Sequence, residues 1–230
     1  LTVQVKADAG VVISASHNPF EHNGIKVFNG QGYKLSDALE ERVEAKILSG
    51  EPMPIQTREG IGKRIHGMKN LKYEYIRYLA GTITDKLSGL RVLVDCANGA
   101  AAATAPDLFA NFDIEADFIH RKPNGLNIND RCGSTRLESL AAMVTAGEYD
   151  LGIAFDGDAD RCLMIDERGQ IIDGDKTMAV CGLAMQEAGT LTGHAIVGTV
   201  MSNLGLHEFC NKHNIRLICT PVGDRNVLEK

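Results

Sequence analysis

Asp150-Leu151-Gly152-Ile153-Ala154-Phe155-Asp156-Gly157-Asp158-Ala159-Asp160-Arg161-Cys162-Leu163-Met164-Ile165 sets an apolar run on each side of an acidic loop. Both runs are short and bounded by polar residues, so residues 150–155 and 162–165 read as strands. Between them Asp156, Asp158 and Asp160 place three carboxylates within five residues, and a guanidinium, Arg161, follows at once. Anions this close repel one another, whereas an oxygen-seeking divalent cation such as Mg2+ turns the repulsion into coordination and can also hold a phosphate. Joint ligation requires the loop to curl, because an extended strand would spread the three side chains along one face; Gly157 and small Ala159 permit the curl. Asp156 sits at the carboxyl end of a strand, where ligands of open α/β sheets gather. The plain alternative is a solvated acidic turn. Arg161 suits either a two-pronged phosphate grip or a structural salt bridge.

Outward from this loop, short apolar runs alternate with segments of helical periodicity, the pattern of an α/β protein. Residues 10–15 and 24–28 read as strands, the first of them buried. Leu39, Val43 and Ile47 recur every four residues, with Asp37 and Glu40 as a capping box and Gly50 as the stop, which predicts a helix over 37–49. Pro52, Pro54, Gly60, Gly62 and Gly67 mark a connection over 51–67. A second unit alternates helix 69–83, strand 91–97, helix 101–112 and strand 114–120, then a long polar loop over 121–134. Leu137, Leu140, Ala141 and Val144 form one helical stripe behind a capping box from Thr135 to Glu138. A third unit repeats the alternation with helix 175–188, strand 195–200, helix 203–214 and strand 216–220.

Composition narrows the function classes. A chain of 230 residues can bury a large core and favours two domains or more. The net charge is −6 and the basic residues are scattered, so neither nucleic acid nor a membrane is expected as a partner. Apolar runs such as Val11-Val12-Ile13 fall far short of the roughly 20 residues of a bilayer span. The chain opens Leu1-Thr2-Val3-Gln4-Val5-Lys6, without an initiator Met or a signal-peptide pattern, and reads as a piece of something longer. Six cysteines, Cys96, Cys132, Cys162, Cys181, Cys210 and Cys219, form no CxxC pair, which points to a reduced, cytoplasmic setting.

A second motif lies far upstream, in Ser14-Ala15-Ser16-His17-Asn18-Pro19. Ser16 follows a strand and is placed to emerge at its end as a nucleophile, with His17, Asn18 and Pro19 adding polar donors and a fixed turn. The same residues also make an ordinary polar turn. His17 has no orienting partner evident in the sequence, so no triad can be assigned. Lys26 lies in an apolar strand-like run after Asn23-Gly24; desolvation would lower its pKa towards proton transfer, unless the side chain snorkels to solvent.

Taken together, Ser14 to Pro19, Asn23-Gly24-Ile25-Lys26 and Asp156 to Arg161 resemble the α-D-phosphohexomutases, in the expected order and over the whole chain. Pro123-Asn124-Gly125-Leu126-Asn127-Ile128-Asn129 with Cys132-Gly133-Ser134 resembles the bacterial branch that interconverts glucosamine 6-phosphate and glucosamine 1-phosphate on the way to cell-wall precursors. Phosphomannomutase or phosphoglucomutase is the nearer alternative. The resemblance implies successive related α/β/α sandwich domains with mixed sheets. Residues 1–68 would be the later part of domain 1 with a phosphoserine loop, 69–170 domain 2 with the metal loop, and 171–230 the start of domain 3. It further implies that Ser16 carries the phosphoryl group and that Mg2+ is held by Asp156, Asp158, Asp160 and an oxygen of phospho-Ser16. Lys26 resembles the family's acid–base candidate, His17 and Asn18 would orient the phosphoserine, and Arg161 would fix phosphate. Thr220-Pro221-Val222-Gly223-Asp224-Arg225 resembles the approach to the sugar loop, which makes Arg225 a substrate candidate. The expected partners are a phosphorylated hexosamine and, for the full-length protein, a second copy in a homodimer. The family's Gly-Glu-x-Ser-Gly-His type loop and its last phosphate loop do not occur among these residues, so the polypeptide by itself is expected to turn over little or no sugar.

Three other readings compete. A haloacid-dehalogenase-type phosphatase would use Asp156 as nucleophile, but Asp160 stands where Thr or Val is expected. A calcium-binding module would pair the aspartates with Glu167, but Arg161 replaces the glycine of the sharp turn. A non-catalytic relative would keep the scaffold alone.

Overall fold

Two antiparallel strands, β1 (Ala9–Ser14) and β2 (Gly24–Asn29), present the serine motif on the turn between them, with Ser14 paired to Gly24 and Val12 to Lys26. This is a computed structural model describing residues 1–63, 70–83 and 87–230. The expected buried strand forms but is not buried. Val11 is 62% and Ile13 74% exposed, because none of the described helices packs closely on this two-stranded sheet, and the buried residue, Ala15, lies just past its end. Helix α1 (Asp37–Leu48) follows, with its stripe of Leu39, Val43 and Ile47 facing solvent. Its expected capping box is absent: Ser36 is the N-cap without a side-chain bond, and the Asp37 carboxylate accepts from Arg225 instead, at 2.6 Å. The connection contains one 3-10 turn, Arg58–Gly60; its last expected residues, 64–67, and the expected helix start at Lys69 lie outside the described residues.

The second unit is built on strands that are apolar on both faces. Helix α2 (Leu71–Ala80) leads into β3 (Arg91–Asp95), α3 (Ala101–Phe109), β4 (Glu115–Ile119), α4 (Glu138–Ala146), β5 (Leu151–Phe155), β6 (Cys162–Asp166) and β7 (Ile171–Ile172). The sheet order is β4-β3-β5-β6-β7, with β4, β3 and β5 parallel and β6 and β7 antiparallel additions, so the sheet is mixed. Successive side chains point to opposite faces. Val92 and Val94 pack with Ala101 and Ala105 of α3, while Leu93 packs with Leu137, Leu140 and Val144 on the α4 side, which makes an α/β/α sandwich. Phe109 meets Phe118 edge to face at 5.8 Å.

Two helix ends differ from expectation for identifiable reasons. Asn111 donates its side-chain amide to the carbonyls of Asp107 and Leu108, closing α3 before the predicted 112. Thr135 belongs to a separate 3-10 turn, Gly133–Thr135, and α4 starts instead behind buried Leu137, so the second capping box does not form either.

In the third unit α5 (Gly174–Glu187), β8 (Ala195–Thr199), α6 (Leu204–Lys212) and β9 (Arg216–Thr220) surround a core of Ile196, Leu206, Cys210 and Ile215, with β8 and β9 parallel. Both helices have true caps: Asp173 accepts from Lys176 N and Asn203 from Leu206 N. A short helix, α7 (Asp224–Leu228), carries Arg225. No described helix is long and apolar enough to cross a membrane.

Leu140 is among the largest fully buried side chains. Leu140→Ala should lower unfolding stability by about 2–5 kcal/mol, against roughly 0.5 kcal/mol or less for Ile47→Ala on the exposed face of α1, as measured by urea denaturation.

Candidate active site

The carboxyl ends of β3, β4 and β5 lie at one edge of the sheet, and each delivers part of the site. After β5 the chain curls tightly: Ala159 N donates to Asp156 O, Ala159 adopts φ +60°, and β6 then returns antiparallel with Phe155 opposite Cys162. The curl brings carboxylate oxygens of Asp156, Asp158 and Asp160 within 4.8 Å of one another. Asp156 is completely buried and Asp158 largely so, and Asp156 Oδ2 and Asp158 Oδ1 are buried with no hydrogen-bond partner among the described residues. Two orphaned carboxylate oxygens beside a third carboxylate are costly unless a cation serves them, so this donor set fits a hard divalent ion.

The serine loop lies directly against this curl. Gly157 N donates to Ser16 O at 3.1 Å, joining residues that are far apart in sequence by a backbone bond. Ser14 Oγ donates to Asp158 Oδ2 at 2.6 Å and accepts from Ser16 N at 2.7 Å. Ser16 itself adopts φ +51°, a left-handed conformation uncommon outside glycine, of the kind that marks functional turns. Gly157 serves here less through conformational freedom than through its missing side chain. A Cβ at 157 would lie 2.5 Å from Ser16 O, 2.8 Å from Ile128 Cδ1 and 2.9 Å from Asn129 Nδ2. Gly99 approaches equally closely from the other side, where Ala100 N donates to Gly157 O at 2.8 Å.

Lys26 reaches across from β2 and donates to Asp158 Oδ2 at 2.6 Å and Asp160 Oδ2 at 3.0 Å. These bonds hold its pKa above the usual lysine value despite partial burial, which overturns the expectation that desolvation would lower it. Burial disfavours charged Asp158, yet the bonds from Lys26 and Ser14 outweigh it and hold that carboxyl below the usual range. Burial pushes Asp156 the other way, upwards, against the bond from the Arg161 backbone.

The remaining predicted residues divide. His17 Nδ1 lies 3.4 Å from Ser16 Oγ, a long contact. Asn18 is held through its carbonyl, which accepts from Asn129 at 2.8 Å. The Arg161 guanidinium is half exposed and 3.9 Å from Asp156 Oδ2, an ion-pair distance that leaves its fork open. Arg225 is bonded to Asp37 and Glu229 and to none of the aspartates of the loop. Glu167, the fourth carboxylate of the calcium-module reading, pairs with Arg168 beyond β6, and the acidic loop is flanked by strands.

Sequence reasoning passed over Ser14 as a partner of Asp158, and it named Asn129 only within the run of residues 123–129, without a role at the site. It also passed over Asp95 at the end of β3. This buried carboxylate accepts from Ala97 N and Gly133 N, and His120 Nδ1 lies 3.0 Å from it without the alignment of a hydrogen bond. Cys96 and Cys132 pack nearby, and burial pushes both thiols up to about 12.

Models of the three α/β/α domains of the phosphoglucomutase/phosphomannomutase family match in order: domain I over residues 1–53, domain II over 73–169 and domain III over 173–230. The chain belongs to this family, the α-D-phosphohexomutases. Among relatives, it is 50% identical to the phosphoglucosamine mutase of Acetivibrio thermocellus over 230 residues, 100% of this chain and 51% of that protein. It is 48% identical to the phosphoglucosamine mutase of Clostridium acetobutylicum over 231 residues, again 100% of this chain and 51% of that protein. The chain therefore spans about half the length of these curated relatives. Among solved structures, a phosphoglucomutase/phosphomannomutase family protein of Burkholderia thailandensis superposes with a TM-score of 0.75 at 22% identity, covering 96% of this chain and 46% of that one. The N-acetylphosphoglucosamine mutase of Aspergillus fumigatus, solved with GlcNAc-6P and magnesium, gives 0.63 at 19% identity, covering 96% and 57%. Both share the fold.

Gly157→Ala should force the serine and aspartate loops apart and weaken Mn2+ binding about 10- to 100-fold in calorimetric titration, with the second-unit core intact. A depressed carboxyl contributes stability above its unfolded pKa and loses it as pH falls through the folded value, so in chelator wild type should exceed Asp158→Asn in stability at neutral pH, and the gap should close on acidification. Urea melts across pH read this directly.

Proposed function

We propose that this chain is part of a phosphoglucosamine mutase, an isomerase that interconverts glucosamine 6-phosphate and glucosamine 1-phosphate through a phosphoserine. The single observation that carries the reading is the backbone bond from Gly157 N to Ser16 O, which seats the candidate phosphoserine loop on the aspartate curl. The choice of glucosamine rests on the two phosphoglucosamine mutases about half identical to this chain over all its residues. The six cysteines, all free, suit a cytoplasmic enzyme.

In this reading the P–O bond to Ser16 Oγ breaks as a new P–O bond forms to the free hydroxyl of the sugar phosphate. Lys26 gives a proton to the departing serine oxygen, and the proton released by the sugar hydroxyl restores it. The resulting 1,6-bisphosphate turns round and returns its other phosphate to Ser16. Asp156, Asp158 and Asp160, with an oxygen of the phosphoserine, would hold Mg2+, which when bound supplies charge stabilisation to the transferring phosphoryl group. Arg161 offers its open guanidinium fork to phosphate, and His17 holds the hydroxyl side of Ser16. Arg225 would join the substrate side only after leaving Asp37.

The full-length protein of which this chain is proposed to be part, incubated with glucose 1,6-bisphosphate, should gain one phosphoryl group by mass, mapped to Ser16. Ser16→Ala should gain none and lose mutase activity at least about a thousandfold. Competition among glucosamine, glucose and mannose 6-phosphates should favour the first. Phosphate found on Asp156, or none on a folded wild type, would sink the reading.

A further inference from the structure

The polar loop after β4 is a built structure rather than a tether. Asn129 N donates to Ala97 O at 2.9 Å, and the Asn98 side chain donates to Asn127 O and accepts from Lys122 N. Asn127 in turn accepts from Asn124 N and donates to Lys122 O, and buried Asp95 accepts from Gly133 N. Every one of these anchors belongs to the second unit. From this fixed base one side chain crosses to the serine loop: Asn129 Nδ2 donates to Ser16 O and to Asn18 O, both at 2.8 Å. Ser16 O also receives Gly157 N at 3.1 Å, so the carbonyl of a residue held at φ +51° is bound twice from the second unit.

We infer that Asn129 is a positioning residue for phosphoryl transfer: its amide clamps the carbonyls on both sides of His17, fixes the left-handed turn at Ser16, and so aims the serine oxygen at the aspartate loop. The inference deepens the mutase reading and rests on it. An NH2 group is the right donor for the task, since its two hydrogens serve two carbonyls at once, Asn18 O and the Ser16 O that Gly157 N also reaches. Asparagine also tolerates the left-handed backbone of this position, φ +58°. Misplacement of a reacting oxygen by about an ångström costs on the order of a hundredfold in rate. A clamp of this kind therefore acts on the chemical step rather than on sugar affinity.

Two variants separate the clamp from simple space-filling. Asn129→Gly keeps the backbone conformation and loses both donors. Asn129→Asp keeps size and shape but turns an acceptor towards two acceptors. Single-turnover phosphorylation of Ser16 by glucose 1,6-bisphosphate, followed by mass spectrometry of the full-length protein, should slow about tenfold in Asn129→Gly and about a hundredfold in Asn129→Asp. The KM for the sugar phosphate should stay within about threefold, and hydrogen exchange should rise over residues 14–19. A packing role predicts the opposite order, with the isosteric Asp the milder change. Phosphorylation of Asn129→Asp at the wild-type rate, or a raised KM at unchanged kcat, overturns the inference alone. A folded wild type that takes no phosphate removes the mutase reading and this inference with it.

Discussion

A single backbone hydrogen bond, from Gly157 N to Ser16 O, is the contact on which the rest of the site depends. It requires that residue 157 present no side chain, because Ser16, Ile128 and Asn129 all press on the space a methyl group would fill, while Gly99 closes on the backbone of Gly157. Three separated stretches of chain thus converge on one glycine. The carboxylates on either side of it, Asp156 and Asp158, are turned into the protein by the same geometry, which is why two of their oxygens are buried without partners. Close packing and the gathering of carboxylates are here one constraint: the curl that admits the serine loop is also the curl that gathers the charges.

The sheet explains why this convergence happens where it does. Strands β3, β4 and β5 run parallel, so Asp95, His120 and Asp156 all emerge at the same edge, with the polar loop and the acidic curl beside one another. The apolar alternation of β3, with valines towards α3 and leucine towards α4, fixes the register, since a slip of one residue would turn each of them to the wrong face. Electrostatics then ties the first unit to this rigid base. Lys26 and Ser14 both meet Asp158 Oδ2, so one carboxylate oxygen links β2, the serine loop and the acidic curl.

Much of this was legible in the residues. The strand–acid–strand reading of 150–165, the alternation of helices and strands in the second and third units and the encounter of the Ser16 loop with the aspartates all follow from local pattern or family resemblance. What was not legible depends on long-range geometry. The capping boxes at Asp37 and Thr135 have the right spacing, yet the first acid is taken by Arg225 and the second helix begins where Leu137 can be buried. Lys26 reads as a desolvated lysine from its apolar neighbours, but its pKa is set by two carboxylates more than a hundred residues away. Nothing local distinguishes Asn129 from Asn124 or Asn127; only the fold shows which of them faces the serine loop. For the same reason Gly157 could be read as a flexible hinge, when the position demands emptiness.

The two thiols packed behind the polar loop have a chemical consequence of their own. Burial pushes Cys96 and Cys132 up to about 12, so both stay as thiols at neutral pH. Oxidants and alkylating agents act through the thiolate, so they will spend themselves on the exposed sulfurs, Cys162, Cys181 and Cys219, before touching the platform behind the polar loop. Oxidative damage to this protein should accordingly begin at these three sulfurs, two in its third unit and one at the start of β6.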